Sequence, residues 1–183
     1  VGSLGTDGQV FTSSGAGAGA VFEAAGGGFF GQAVQTDKTD TSSSTAQSFA
    51  DAGLEVAITP AASGSKVMVI VSAHYGLNYA TIFRLARDIG GAGYAAICVG
   101  DAASSRGQAS GGSLGSGTAG DTGDLSNWST VFIDSPSTTS EVTYQCQFYV
   151  QSSGTGYLNR SREDTDAAYS PRAASQITAL EIL

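Results

Sequence analysis

The residues of this chain that could do chemistry are few and far apart. His74 is the only histidine and ends the apolar run Lys66-Val-Met-Val-Ile-Val-Ser-Ala-His74. It could orient a base or bind a metal, but no second histidine and no nearby thiolate stands beside it in sequence, so a structural or surface role is expected. Acyl transfer by a serine nucleophile would be announced by a Gly-x-Ser-x-Gly elbow on a strand-to-helix turn, and none is present. Carboxylates pair at Asp37/Asp40, Asp121/Asp124 and Asp164/Asp166, with Glu163 next to the last pair. Such pairs hydrolyse glycosides only when they face each other across a cleft, and Asp164-Thr-Asp166 supplies only the beginning of a calcium shell. Solvated acids of turns are the expected role. The stretch Gly111-Gly-Ser-Leu-Gly-Ser-Gly117 lacks the Lys-Ser/Thr ending and the following helix of a phosphate loop. No catalytic residue, metal site or cofactor is expected, and the chain reads as a non-enzyme.

Cys98 and Cys146 each lie in an apolar run, Ala95-Ala-Ile-Cys-Val99 and Tyr144-Gln-Cys-Gln-Phe148. Two cysteines make no disulfide framework, and these are too far apart for a zinc knuckle. Buried free thiols are expected, with a single disulfide as the alternative. Asn127-Trp-Ser129 and Asn159-Arg-Ser161 match the glycosylation sequon, which matters only on a eukaryotic secretory route. Tyr75, Tyr79, Tyr94 and Trp128 flank glycine-rich turns, where aromatics either stack on sugars or cap a core.

The net charge of −8 argues against nucleic acid as a partner, because the 8 basic residues are scattered and only Lys38 and Lys66 are lysines. The apolar run Val67-Met-Val-Ile-Val71 is far shorter than the roughly 20 residues needed to span a bilayer, so no membrane insertion is expected. Charged residues make up 13% of the chain against about 25% in typical domains, the balance being Gly, Ala, Ser and Thr. A polar but uncharged surface suits an extracellular or particle-borne β-protein. The first residue is Val1 rather than Met, as in a processed protein or a piece of a longer one.

The elements that would hold these residues are strands. Residues 1–28 are a Gly/Ala-rich lead-in, expected as an extended arm or linker, and residues 29–183 as one β-domain. Leu54, Val56 and Ile58 alternate strictly with Glu55, Ala57 and Thr59, the signature of a strand with one buried face. Residues 66–74 read as a central strand. Residues 79–87 fit a helix or a strand, and the β-branched and aromatic content favours a strand. Further strands are expected over 29–36, 94–99, 128–134, 141–150 and 176–183. Polar runs at 37–45 and glycine-rich residues at 100–123 read as loops. With turn signals every 8–12 residues and no convincing helix, the fold class is all-β, an antiparallel sandwich, jelly roll or barrel.

Gly5-Thr-Asp-Gly-Gln-Val-Phe-Thr-Ser-Ser-Gly15 is similar to a Gly-Thr-x-Gly-Gln-Val/Leu-x-Thr-Ser element of bacteriophage tail-fibre and related virion proteins. Leu54-Glu-Val-Ala-Ile-Thr-Pro60 with Ser65-Lys-Val-Met-Val69 resembles a step in the terminal domain of the same fibres. Phe83-Arg-Leu-Ala-Arg87, Asp134-Ser-Pro-Ser-Thr-Thr-Ser140, Val142-Thr-Tyr144, Leu158-Asn-Arg-Ser161 and Ile177-Thr-Ala-Leu-Glu-Ile182 follow in the expected order. The long loop at 100–123 and the Ala-rich lead-in depart from the pattern. The resemblance implies a trimeric jelly roll of the C1q/TNF-like kind at the outer end of a fibre or on a particle surface.

On this reading the chain is a homotrimeric virion module at the distal end of a tail fibre. It contacts other virion proteins and captures a host cell-surface glycan or protein, with three weak sites gaining avidity. Long loops on a rigid sandwich carry function, so the receptor residues are expected at 107–127 and 160–172: Leu114, Asp121, Asp124, Asn127, Arg160, Arg162 and Arg172. A capsid decoration protein that stabilises the shell and a polysaccharide depolymerase are the two alternatives.

Overall fold

The computed structural model describes residues 9–12, 21–24, 28–76, 80–113, 125–151 and 154–183. Thirteen strands and no helix lie among them: β1 (Gln9–Thr12), β2 (Val21–Ala24), β3 (Phe30–Lys38), β4 (Ser42–Ser44), β5 (Ala50–Ile58), β6 (Lys66–Gly76), β7 (Thr81–Ile89), β8 (Ala95–Ile97), β9 (Gly111–Ser113), β10 (Ser126–Asp134), β11 (Val142–Val150), β12 (Gly156–Leu158) and β13 (Ser175–Ile182). The protein is an antiparallel β-sandwich. Within the lead-in, β1 and β2 pair with each other, Gln9 opposite Ala24 through Thr12 opposite Val21.

β6 is the hub of the first sheet. One edge pairs with β10 from Val67↔Asp134 to Tyr75↔Ser126. The other edge pairs with β13 over residues 66–72 and with β12 at residues 75–76, and β3 and β4 continue outward from those two. The second sheet runs β5-β11-β7-β8, with β9 also pairing β7. Because side chains alternate across a strand, each sheet turns one set inward. Leu54, Val56 and Ile58 meet Val67, Val69 and Val71 in the same core as Leu85, Val142, Tyr144, Phe148 and Ile177. A fully buried side chain of this size contributes about 1.5–3 kcal/mol relative to exposure.

From Thr81 the 79–87 segment is a strand as its composition indicates, because the alternation buries Phe83 and Leu85 and turns Ile82 and Arg84 outward. Trp128 stacks on Phe83 with centroids 5.1 Å apart and 8° between planes, and Tyr75 meets the same ring edge-on at 4.8 Å. These two aromatics therefore cap the core rather than offer a platform to sugars, while Tyr79 lies outside the described residues. Cys146 is wholly buried and Cys98 half-buried, and both are free. Burial pushes the Cys146 thiol well above the usual thiol range.

Two expectations for loops need correction. The 37–45 run is not all loop: β3 continues to Lys38, and Ser42–Ser44 forms β4 against β12. The 100–123 stretch contains β9, which pairs with Thr81, Ile82 and Phe83. Serines and glycines reach these ladders through backbone hydrogen bonds, which carry no signal in hydrophobic periodicity.

Candidate functional site

Of the expected receptor residues, four fall within the described part of the chain, and the fold gathers them at one end of the sandwich. Arg160 and Arg172 face each other across an isolated β-bridge. Asp164 sits between them, accepting Arg172 Nε at 3.0 Å and Nη2 at 2.8 Å and lying 3.1 Å from Arg160 Nη1. Hydrogen bonding from Arg172 holds the Asp164 carboxyl below the usual carboxylate range, with Arg160 adding to the effect. Arg160 also stacks its guanidinium 4.1 Å over the Tyr157 ring. Asp164 thus shares its one negative charge between both cations, and the loop is closed on itself. Arg162 is half-buried and makes no ion pair among the described residues. Leu114, Asp121 and Asp124 lie outside the described residues.

Asn127 joins the same end through His74. Its Nδ2 lies 3.4 Å from His74 Nε2, and His74 Nδ1 lies 2.9 Å from the Ala174 carbonyl. A carbonyl only accepts, so Nδ1 carries the proton and Nε2 accepts from Asn127. His74 is therefore a spacer between β10 and the loop before β13. Beneath it, Asn159 is fully buried, its amide donating to the Lys38 and Asp40 carbonyls at 2.7 and 2.9 Å and its Oδ1 accepting from Ser175 Oγ at 2.6 Å. That burial removes Asn159 as a glycan acceptor. Gly76 makes the junction possible: a Cβ there would lie 2.5 Å from the Arg160 carbonyl oxygen and 3.0 Å from the Arg162 amide nitrogen.

Two surfaces escaped the sequence reading. The first is the outer face of the β10-β6-β13-β3 sheet, which grades from polar to apolar along the strands. Asn127, Ser129, His74, Ser72 and Gln176 hold the polar end. At the other end the register sets Val131 beside Ile70, Ile133 beside Met68, Leu180 beside Met68 and Phe30 beside Ile182. Val131 is 61% exposed, Ile133 53% and Phe30 50%, and Phe29 and Leu183 extend the same surface. A contiguous apolar patch on a sheet face is a signature of interaction.

The second surface is a groove of about 770 Å³ on the outer face of the opposite sheet. Ile82 and Arg84 of β7, Tyr149 of β11, Phe49 and the backbone turn at Ser105, Arg106 and Gly107 line it. Beside it runs a polar chain across the strands: Arg84 Nε donates to Gln147 at 2.8 Å, Gln147 to Gln145 at 2.9 Å, and Gln145 to Glu55 at 3.0 Å. Tyr94 also donates to Glu55 at 3.1 Å, and burial together with that bond pushes its hydroxyl up to about 12. The signal that could have found this groove is the outward place of Arg84 between Phe83 and Leu85. Among the described residues no group of three or more His, Cys, Asp or Glu side chains is placed to hold a metal ion.

No family model matches the chain, and no curated protein matches it. Among solved structures it is similar to one titled "Structure of infectious bursal disease virus Gt strain", at 9% identity and a TM-score of 0.38 over 96% of this chain. The "Crystal structure of infectious bursal disease virus VP2 subviral particle" is similar at 10% identity and a TM-score of 0.36, also over 96% of this chain. The Gx strain structure of the same virus gives 10% identity and a TM-score of 0.31 over 94%. The chain spans 43%, 47% and 42% of those three proteins respectively.

Proposed function

We propose that this chain is a non-enzymatic virion structural module, the distal domain of a tail fibre, assembled as a homotrimer that presents its loops to a host cell-surface receptor. The observation that carries the reading is the exposed apolar end of the β10-β6-β13-β3 face. A second copy of this chain is the occupant that fits it: the patch is apolar apart from Lys66 and continuous with the β10 edge, and a closed three-fold ring can cover both face and edge in every subunit at once. Charged residues are sparse there, as in the cores of subunit interfaces.

The jelly-roll form of the sandwich is supported by its strand order. β3, β13, β6 and β10 face β5, β11, β7 and β8, four strands from each sheet as in an eight-stranded jelly roll. The ordered motifs that resemble phage fibre proteins point the same way. A non-catalytic role is supported by how the acids are used: Asp164 is held between two arginines, and Asp134 is occupied by Arg87 and Tyr144.

Gold-labelled antibody against the domain, applied to intact particles, tests the location. Label at the fibre tips is expected. Label distributed over the heads would overturn the fibre reading and place the protein among shell-stabilising trimers.

A further inference from the structure

We infer that the groove between Phe49, Tyr149, Arg84 and Arg106 binds an acidic saccharide, a uronic-acid unit whose ring lies on the aromatics and whose carboxylate is taken by the arginines. The inference gives a chemical class to the receptor of the proposed function and rests on that reading only in treating the receptor as a glycan. Three features of the groove point to this ligand.

The first is charge. The chain carries a net charge of −8, yet the described lining of this groove holds two arginines and no acid. Neither arginine is in an ion pair among the described residues. Concentrating uncompensated cations in a concavity of an acidic protein favours an anion at that place and few others.

The second is orientation. The Arg84 guanidinium lies 4.2 Å over the Phe49 ring, and its Nε is fixed by Gln147 Oε1 at 2.8 Å. Stacking and that bond leave the terminal nitrogens as a planar fork suited to a carboxylate. Burial alone pulls the Arg84 pKa below the ordinary arginine value, a cost that an incoming anion would offset.

The third is shape. Phe49 and Tyr149 stand 5.9 Å apart at 47°, forming an angled apolar wall against which the C–H face of a pyranose can pack. Gln47, Ser48, Ser105 and Gln151 line the same groove with donors and acceptors for ring hydroxyls. The groove lies on the sheet opposite the apolar assembly face, so a trimer built on that face leaves it open.

The test is ligand-observed NMR with tri-galacturonic acid and its methyl ester, which keeps the rings and removes the charge. The acid should bind, the ester at least about tenfold more weakly, and Arg84→Gln and Arg106→Gln should each lower acid binding by a similar factor. Gly107→Trp supplies a variant that leaves every charge in place. A Cβ at Gly107 sits 3.4 Å from Ile82 Cδ1 and 3.8 Å from Phe49 Cε2, so a large side chain there enters the groove. It should lower acid and ester binding alike by blocking the groove, with circular dichroism confirming the fold of all three variants.

Equal affinity for acid and ester, wild-type binding by the arginine variants, or no binding at the solubility limit would each overturn the inference. Solution mass measured on the same samples separates this from the assembly reading. A trimer that ignores the acid contradicts the inference alone. A monomer that binds it contradicts the assembly alone.

Discussion

Tyr144 and Asp134 join the two sheets through a single bond: the buried Tyr144 hydroxyl on β11 donates to Asp134 Oδ2 on β10 at 2.8 Å. Both oxygens of Asp134 also lie 2.8 Å from Arg87 Nη1 on β7. Burial, reinforced by the Asp134 carboxylate, holds the Tyr144 hydroxyl protonated well above the usual tyrosine range. Tyr144→Phe removes one charge-assisted bond and should cost about 1.5–3 kcal/mol. Asp134→Ala orphans the hydroxyl and leaves Arg87 without its partner, and should cost about 3–5 kcal/mol. Urea unfolding of both variants checks the order. An equal or reversed ranking would show that Asp134 is not the centre of the contact.

Glu181 is a carboxylate 1% exposed, facing inward on β13. Burial by itself would raise its pKa. The Ser65 hydroxyl, then the Ala61 amide at 2.6 Å and Gln32 Nε2 at 3.2 Å, outweigh burial and hold the group below its ordinary value of 4.5. A depressed folded pKa means that the stabilisation is present above 4.5 and is lost as pH falls through the folded value. Glu181→Gln turns one acceptor oxygen into a donor facing other donors, so it should lose about 1–3 kcal/mol at neutral pH. It should also lose less further stability than wild type on acidification. Urea midpoints of the two proteins across the acid range give the comparison. Parallel curves would exclude Glu181 as a source of the pH dependence.

Gly76→Ala forces a Cβ against the Arg160 carbonyl and the Arg162 amide, both backbone groups that cannot swing aside. The 160–162 segment must shift, at a cost of about 1–3 kcal/mol. Amide exchange should report it locally, because Asn159 donates its N–H to the His74 carbonyl at 2.8 Å. Unchanged protection of Asn159 would contradict the close approach.

Asp164→Asn keeps a residue that tolerates the φ of 50° at this position and removes the charge shared by Arg160 and Arg172. Exposed ion pairs add little to global stability. The melting temperature should barely move, while amide exchange between residues 160 and 172 accelerates. A large fall in melting temperature with unchanged loop exchange would mean that Asp164 supports the core instead.

How much of this was legible in the sequence follows from where each signal resides. Leu54, Val56 and Ile58 announce β5 because strict alternation has one structural solution. The β-branched and aromatic content of 79–87 was enough to favour a strand, and Phe83 and Leu85 fall on the face that the core covers. Glu181 was not legible: its partners Ala61 and Gln32 stand 120 and 149 positions away. Arg160 and Arg172 were picked for lying in a polar loop, and the fold does bring them together. Their bridging depends on Asp164 pointing between them, which is a matter of backbone path. The groove was hidden for the same reason, since Phe49, Arg84, Arg106 and Tyr149 converge only when β7, β11, the segment before β5 and the 105–107 turn are in place. Exposure of Val131 and Ile133 was equally hidden, because the unbroken apolar run Val131-Phe-Ile133 does not say which of its faces meets the core.

Assembly through that apolar face is the central claim, and the solution mass of the wild type beside Val131→Asp/Ile133→Asp, by light scattering, tests it most directly. Both substitutions point outward on β10 and leave the core untouched. The wild type should weigh three times the 18.3 kDa of one chain, and the variant should be a folded monomer with an unchanged circular dichroism spectrum. A monomeric wild type, or a variant that remains trimeric, would contradict the account.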